Sequence, residues 1–133
     1  MVRGRQSASG GFTLLELIAV MFIISVLAGI ALPRFQASIL AAREAVLAED
    51  LYQLRDLIDQ YYIDKGRYPP TLEALVEEGY LRKVPTDPFT GVADWEVVYS
   101  EPDASDPGAE IGVFNVHSNA AGSGSDGRPY SEW

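Results

Sequence analysis

A single carboxylate, Glu16, interrupts an apolar run that covers residues 12–32. An ionised carboxylate at the centre of a membrane helix costs roughly 2.5–3.5 kcal/mol, so this residue needs compensation. The sequence leaves two explanations open. Glu16 either lies near the lipid headgroups, where the helix dipole favours a negative charge, or it pairs with a new amino terminus on a neighbouring subunit, created by cleavage before Phe12.

Groups suited to enzymatic catalysis are sparse. The one histidine, His117, lies in a strand pattern beside Ser118, and adjacent strand residues point to opposite faces, so the two cannot act as a nucleophile and its base. The sequence has no cysteine and lacks a phosphate-binding glycine loop, an HExxH motif and EF-hand spacing. We therefore predict that the protein is not an enzyme and that His117 is a structural or an interface residue.

The charge balance excludes nucleic acid as a partner. The net charge is −9, and removal of a leader that contains Arg3 and Arg5 would leave 8 basic against 19 acidic residues, a net charge of −11. Such a surface repels phosphate backbones. At 133 residues the chain is long enough for one compact domain and one extended element.

The apolar run is long enough to cross a bilayer as a helix. A basic segment, MVRGRQSASGG, precedes it, whereas a secretory signal peptide is cut after its apolar stretch, so we expect the run to stay attached. Arg3 and Arg5 favour a cytoplasmic amino terminus, although Arg34 and Arg43 weaken the asymmetry. The sequence thus predicts a single-pass anchor.

Helical periodicity continues beyond Pro33. The apolar residues form one stripe with spacings of seven, four, three, four and three: Leu40, Leu47, Leu51, Leu54, Ile58 and Tyr61. Charged residues between them, including Glu44 and Arg55, are assigned to a solvated face without chemistry. A continuous helix from Phe12 to Asp64 would be on the order of 80 Å long, so its apolar half should protrude and need lipid or copies of itself.

The remainder should form a small head. Gly66 should end the long helix, and Thr71 should cap a short second helix that ends at Gly79. Strand-like runs at 94–100 and 111–118 should pair as an antiparallel hairpin. The glycine- and serine-rich tail has little packing capacity besides two aromatic residues, which should tie it down: Tyr130 and Trp133.

Two motifs carry a family resemblance. The segment GGFTLLEL, with Glu16 four residues after Phe12, resembles the prepilin-peptidase site of type IV pilins and type II secretion pseudopilins. The segment VPTDPFTG, residues 84–91, is similar to the P-x-D-P-[FW]-x-G loop of G-type major pseudopilins. The resemblance implies an α+β, type IV pilin-like fold. Its expected segments are a cleavable leader (1–11), a hydrophobic helix (12–33), an amphipathic continuation (34–65) and a globular head (66–133).

The resemblance also implies roles and partners. Prepilin peptidase would cut between Gly11 and Phe12, the Phe12 amine would be N-methylated, Glu16 would guide assembly, and Pro33 would kink the helix. The subunit would wait in the bacterial inner membrane with its head in the periplasm. It would then join a periplasmic or extracellular helical homo-oligomer, with minor pseudopilins and an inner-membrane assembly platform as partners. Growth of this filament would drive export of folded proteins.

G-type pseudopilins bind Ca²⁺ through carboxylates and carbonyls of the C-terminal loop. The equivalent segment here offers Asp126, Asn119 and either Ser123 or Ser125, together with backbone carbonyls, but lacks the family's cluster of acidic ligands. A calcium site is therefore one expectation. The other is a segment without a metal cofactor, whose turns are locked by the terminal aromatic residues.

Two other functions stay open. One is a type IV pilus major pilin used in adhesion, motility or DNA uptake, although the lack of a cysteine pair near the C-terminus argues against it. The other is a membrane-anchored periplasmic adaptor domain that never polymerises. Such a domain would need neither cleavage nor Glu16.

Overall fold

The computed structural model describes residue 11 and residues 13–102, 104–106 and 108–133. Its elements are helix α1 (Leu14–Lys65), helix α2 (Leu72–Glu77), strand β1 (Glu96–Tyr99), strand β2 (Val113–His117) and a 3₁₀ helix (Tyr130–Glu132). One long helix, one short helix and a two-stranded antiparallel sheet make up the predicted α+β architecture.

The described chain divides into two compact units, one that ends at Ser38 and one that comprises Ile39–Trp133. We call the second the head unit. It contains the second half of α1 as well as all later elements. By packing, that half of the helix belongs with the head, whereas the sequence analysis separated residues 34–65 from residues 66–133.

Helix α1 starts with an N-cap at Thr13. The Thr13 hydroxyl accepts a hydrogen bond from the Glu16 N–H at 3.2 Å, which satisfies one of the free donors of the first turn. All of residues 14–32 are exposed, and the most apolar 18-residue window of the helix has a mean hydropathy of 2.6. By length and composition, α1 can cross a membrane.

Helix α1 continues through the region around Pro33, where the resemblance implied a kink. Pro33 lies inside α1, and helix is assigned on both sides of it. Because proline has no N–H, the carbonyl of Gly29 loses its usual donor four residues later. The predicted kink at Pro33 stays a prediction.

The core of the head unit forms on the predicted stripe of α1. Leu47, Leu51, Leu54, Ile58 and Tyr61 are buried, whereas Leu40 is 41% exposed. The partners of these residues in the core come from α2, the sheet and the C-terminal segment: Leu72, Leu75, Trp95, Val113, Val116, Ala120 and Tyr130. Burial of a leucine- or valine-sized side chain contributes about 1.5–3 kcal/mol, so this stripe anchors the head.

The second helix has the predicted boundaries. Thr71 is its N-cap, and the Thr71 hydroxyl accepts a hydrogen bond from the Ala74 N–H at 3.3 Å. Gly66 follows α1 and Gly79 follows α2, with φ of +71° and +82° respectively. These left-handed conformations carry little steric cost only for glycine, so both helices end where the sequence predicted.

The two strands are shorter than predicted. They pair with the register Glu96↔His117, Val97↔Val116 and Val98↔Asn115, and the register shifts between Val98 and Tyr99. Tyr99 lies beyond this shift and is 54% exposed, whereas Trp95, just before β1, is buried.

Candidate functional site

The predicted processing site lies at the start of the described chain. Gly11 is exposed, and a Cβ added there would meet nothing within 4 Å. Phe12 lies outside the described residues, so cleavage and N-methylation at this bond stay predictions. The open surroundings of Gly11 would let a protease approach the backbone.

Glu16 is exposed in the first turn of α1. It stands three residues after the Thr13 cap, so its charge lies at the end of the helix where the dipole favours an anion. The side chains around it are apolar and also exposed, including Leu14, Leu15 and Leu17. An exposed carboxylate on an apolar surface can accept an ammonium group from another chain.

A second carboxylate, Glu44, was assigned to a solvated face, and that assignment is wrong. Glu44 is only 7% exposed. Its oxygens accept hydrogen bonds from the Ser125 N–H at 2.8 Å, the Ser125 hydroxyl at 2.5 Å and the Tyr130 hydroxyl at 3.1 Å. The Ser125 hydroxyl is the main cause of a lowered pKa at Glu44, with the Ser125 N–H and Tyr130 adding to it and burial opposing it.

The sequence did contain a signal for Glu44. The apolar stripe has a step of seven residues between Leu40 and Leu47, and Glu44 divides it into four and three. It therefore occupies a stripe position and faces the core.

Arg55 was also assigned to the solvated face, and it too is partly buried. Its guanidinium donates to the Asn115 side-chain oxygen at 2.8 Å, to the Val116 carbonyl at 2.8 Å and to the main-chain oxygen of Trp133 at 2.5 Å. Burial lowers the pKa of Arg55. Arg55 thus joins α1 to strand β2 and to the end of the C-terminal segment.

The three predicted calcium ligands bind different protein groups. Ser125 bonds Glu44, as described above, and the Asn119 amide lies 3.4 Å from an Asp94 carboxylate oxygen. The two Asp126 oxygens accept from the Arg128 N–H at 3.0 Å and from its guanidinium at 2.8 Å. No group of three or more histidine or acidic residues suited to a metal occurs in the described part of the chain.

This arrangement does not fit a site for Ca²⁺. Hard cations take six to eight oxygens, which the protein must bring together around one point. The one predicted carboxylate, Asp126, already holds a guanidinium. The other two residues contribute neutral groups that point to separate partners.

The loop motif of residues 84–91 is organised by Asp87, which is only 1% exposed. Its carboxylate accepts hydrogen bonds from the Phe89 N–H at 2.7 Å, the Thr90 N–H at 3.3 Å and the Ser118 hydroxyl at 2.5 Å. The first two form a turn of the kind that aspartate stabilises before proline, and the third ties the loop to the residue that follows β2.

His117 and Ser118 have separate partners. The His117 Nδ1 lies 2.9 Å from the main-chain oxygen of Trp133, whereas the Ser118 hydroxyl donates to Asp87. The two side chains therefore form no catalytic pair, as the strand pattern predicted. Both act as structural links.

Comparisons with known proteins agree with the motifs. Residues 6–32 match the family model described as the prokaryotic N-terminal methylation motif. The chain is 30% identical to the type II secretion system core protein G of Klebsiella michiganensis, over 94% of this chain and 89% of that protein. The protein of the same name from Dickeya chrysanthemi is 30% identical over 88% of this chain and 94% of its own length, and that of Aeromonas hydrophila is 32% identical over 67% and 71%. No solved structure matches the chain significantly.

Proposed function

This chain belongs to the type II secretion system core protein G family, and we propose that it is the major structural subunit of a helical filament whose growth drives export of folded proteins. It is a structural protein and not an enzyme. One observation carries the proposal: the exposed apolar surface of α1, residues 14–32, with a single carboxylate in its first turn.

An apolar helix surface of this length is not stable in water. Contiguous apolar patches larger than a few hundred Å² mark contacts with lipid or protein. In the membrane, the lipid tails cover residues 14–32. Once a subunit leaves the bilayer, the apolar surfaces of identical helices are the partners that can cover it.

Glu16 sets the stagger of these helices. After cleavage, the Phe12 amine of one subunit carries a positive charge, and the Glu16 carboxylate of its neighbour lies on an exposed apolar surface where it can receive that charge. Once such a pair is buried in the filament, removal of one partner destabilises the assembly by about 3–5 kcal/mol, because the other charge stays buried and unpaired. Helices that pack out of register leave both charges unpaired, so the pair selects one register.

Several partners follow from this role. Prepilin peptidase removes residues 1–11, and an assembly platform in the inner membrane, with minor pseudopilins, begins and extends the filament. Arg3 and Arg5 keep the leader in the cytoplasm. The head unit then lies in the periplasm, where the growing filament pushes its cargo outward.

The decisive experiment replaces Glu16 by leucine in the full chain. We expect processed Glu16→Leu subunits to accumulate in the membrane and to form no filaments by electron microscopy, because the buried amine finds no partner. Glu49→Leu makes the same substitution at an exposed position of the head unit and should leave filaments intact.

Abundant, normal filaments from Glu16→Leu would contradict the proposal. An unassembled wild-type subunit under every condition would favour the adaptor function instead. A secretion assay distinguishes a secretion filament from a type IV pilus. If cells with Glu16→Leu lose protein export but keep adhesion and motility, the filament serves secretion.

A further inference from the structure

The C-terminal segment, residues 118–133, runs across the head unit with only the 3₁₀ helix as regular structure. It nevertheless contributes Ala120 and Tyr130 to the core. Some interaction must hold it there, because ordering each residue of an irregular segment costs roughly 1–2 kcal/mol in backbone entropy. A bound cation could hold the segment, but the expected calcium ligands, Asn119, Ser125 and Asp126, do not fit one.

We infer that the buried Glu44 carboxylate of α1 holds this segment in place of a metal ion, so that the head unit folds without calcium. The inference concerns the fold of the head unit and goes beyond the filament function.

The three groups that hydrogen-bond to Glu44 are all donors, whereas the nearby Asp126 carboxylate raises the pKa of Glu44 against them. Two hydrogen bonds come from Ser125 and one from Tyr130, so three positive ends of N–H and O–H dipoles point at the carboxylate. This shell satisfies a buried anion without a cation.

The segment also closes on itself beside Glu44. The Gly124 N–H donates to the Arg128 carbonyl at 2.8 Å, and the Tyr130 N–H donates to the Gly122 carbonyl at 3.1 Å. Ser123 and Pro129 form an isolated bridge between these two bonds. The loop from 122 to 130 is therefore fixed by its own backbone, and no ligand is needed to join its ends.

Aromatic packing completes the closure. The Tyr130 ring stacks on Phe89 at 4.3 Å between centroids and meets the Trp133 ring edge-on at 5.4 Å. Trp133 lies so close to Gly124 that a Cβ there would be 2.3 Å from the indole ring. Only glycine leaves room for this ring, which covers the loop from one side.

The test measures unfolding of the full, processed chain in detergent micelles. Both tryptophans of the chain, Trp95 and Trp133, lie in the head unit, so their fluorescence reports its unfolding by urea. The wild-type midpoint is compared in EDTA and in calcium chloride. We expect the same midpoint in both, and a saturable increase with calcium would overturn the inference.

A matched pair of variants tests the role of Glu44. In Glu44→Gln, an amide with one neutral oxygen and one N–H₂ group replaces the carboxylate that accepts from three donors. The urea midpoint should therefore fall in EDTA and in calcium alike. Asp56→Asn changes an exposed acidic residue of the same helix and should leave the midpoint unchanged. An unchanged midpoint in Glu44→Gln would also overturn the inference.

Tyr130→Phe provides a milder change if Glu44→Gln fails to fold. It removes one donor and keeps the ring stacking, and it should lower the folding equilibrium constant roughly ten- to hundredfold, as expected for one hydrogen bond to a charged group. No decrease in that constant would count against Glu44 as the anchor.

Discussion

Replacement of Arg55 by methionine should unfold the head unit at markedly lower denaturant concentration. The arginine donates to Asn115, Val116 and Trp133, three positions that are distant from it in sequence. Methionine keeps an unbranched side chain that can pack on the same surface, so the substitution removes chiefly the charge and the three hydrogen bonds.

The expected loss follows from these contacts. A hydrogen bond to a charged group contributes about 1.5–3 kcal/mol, and a buried acceptor left without a partner adds to the loss. Two acceptors keep another interaction: the Asn115 oxygen accepts from the Val116 N–H, and the Trp133 oxygen lies 2.9 Å from His117. We therefore expect a total loss of about 2–4 kcal/mol, less than three full bonds. For a domain of this size, that loss lowers Tm by roughly 10–25 °C.

The assay is urea unfolding of the full chain in micelles, followed by tryptophan fluorescence. Arg82→Met provides the matched control, because Arg82 is an exposed arginine of the same head unit. Surface substitutions of this kind usually change stability by less than about 0.5 kcal/mol. If Arg55→Met lost no more stability than Arg82→Met, the idea that Arg55 fastens the C-terminal segment would be refuted.

Two further predictions concern the head unit. Burial, with added repulsion from neighbouring carboxylates, raises the pKa of Asp50. A carboxyl group whose pKa is higher in the folded than in the unfolded state destabilises the fold above that folded pKa, and the penalty disappears as pH falls through it. Asp50→Asn should therefore raise the unfolding midpoint at pH 7 and show no advantage once the wild-type carboxyl is protonated; an advantage that persisted at low pH would exclude this cause. Separately, a Cβ at Gly112 would lie 2.6 Å from the Tyr68 backbone oxygen, so Gly112→Ala should cost about 1–3 kcal/mol. Gly108→Ala, with its nearest contact at 3.5 Å, is the control, and equal unfolding midpoints in the two variants would show that the close approach is not limiting.

The local features of the fold could be predicted from the sequence. Helix ends at Gly66 and Gly79, the cap at Thr71 and the stripe from Leu47 to Tyr61 depend on residues within one or two turns of each other. Their physics is local, so a single sequence contains it.

The contacts that fix the C-terminal segment could not be predicted in the same way. Glu44 and Ser125 are 81 residues apart, and nothing near either residue indicates the other. The step of seven in the stripe showed that Glu44 faces inward, but it could not identify the donors that meet it. Likewise, the register shift between Val98 and Tyr99 depends on how two strands pair, not on the sequence of one of them.

The residues of the candidate site differ in the same way in how far the sequence could predict them. Glu16 and the Gly11–Phe12 bond were predicted from a short motif, because a processing enzyme reads a local sequence. The calcium ligands were taken from a resemblance. Asn119, Ser125 and Asp126 lie within eight positions of one another, yet the fold gives each of them a different partner.

The intact mass of subunits recovered from purified filaments tests the central claim most directly. The claim is that a cleaved, exposed apolar helix assembles with copies of itself through a new amino terminus. We predict a mass that corresponds to residues 12–133 with one methyl group on the Phe12 amine. Filaments built from subunits that still carry Met1 to Gly11 would contradict the account, because the Phe12 amine that Glu16 is proposed to bind would not exist.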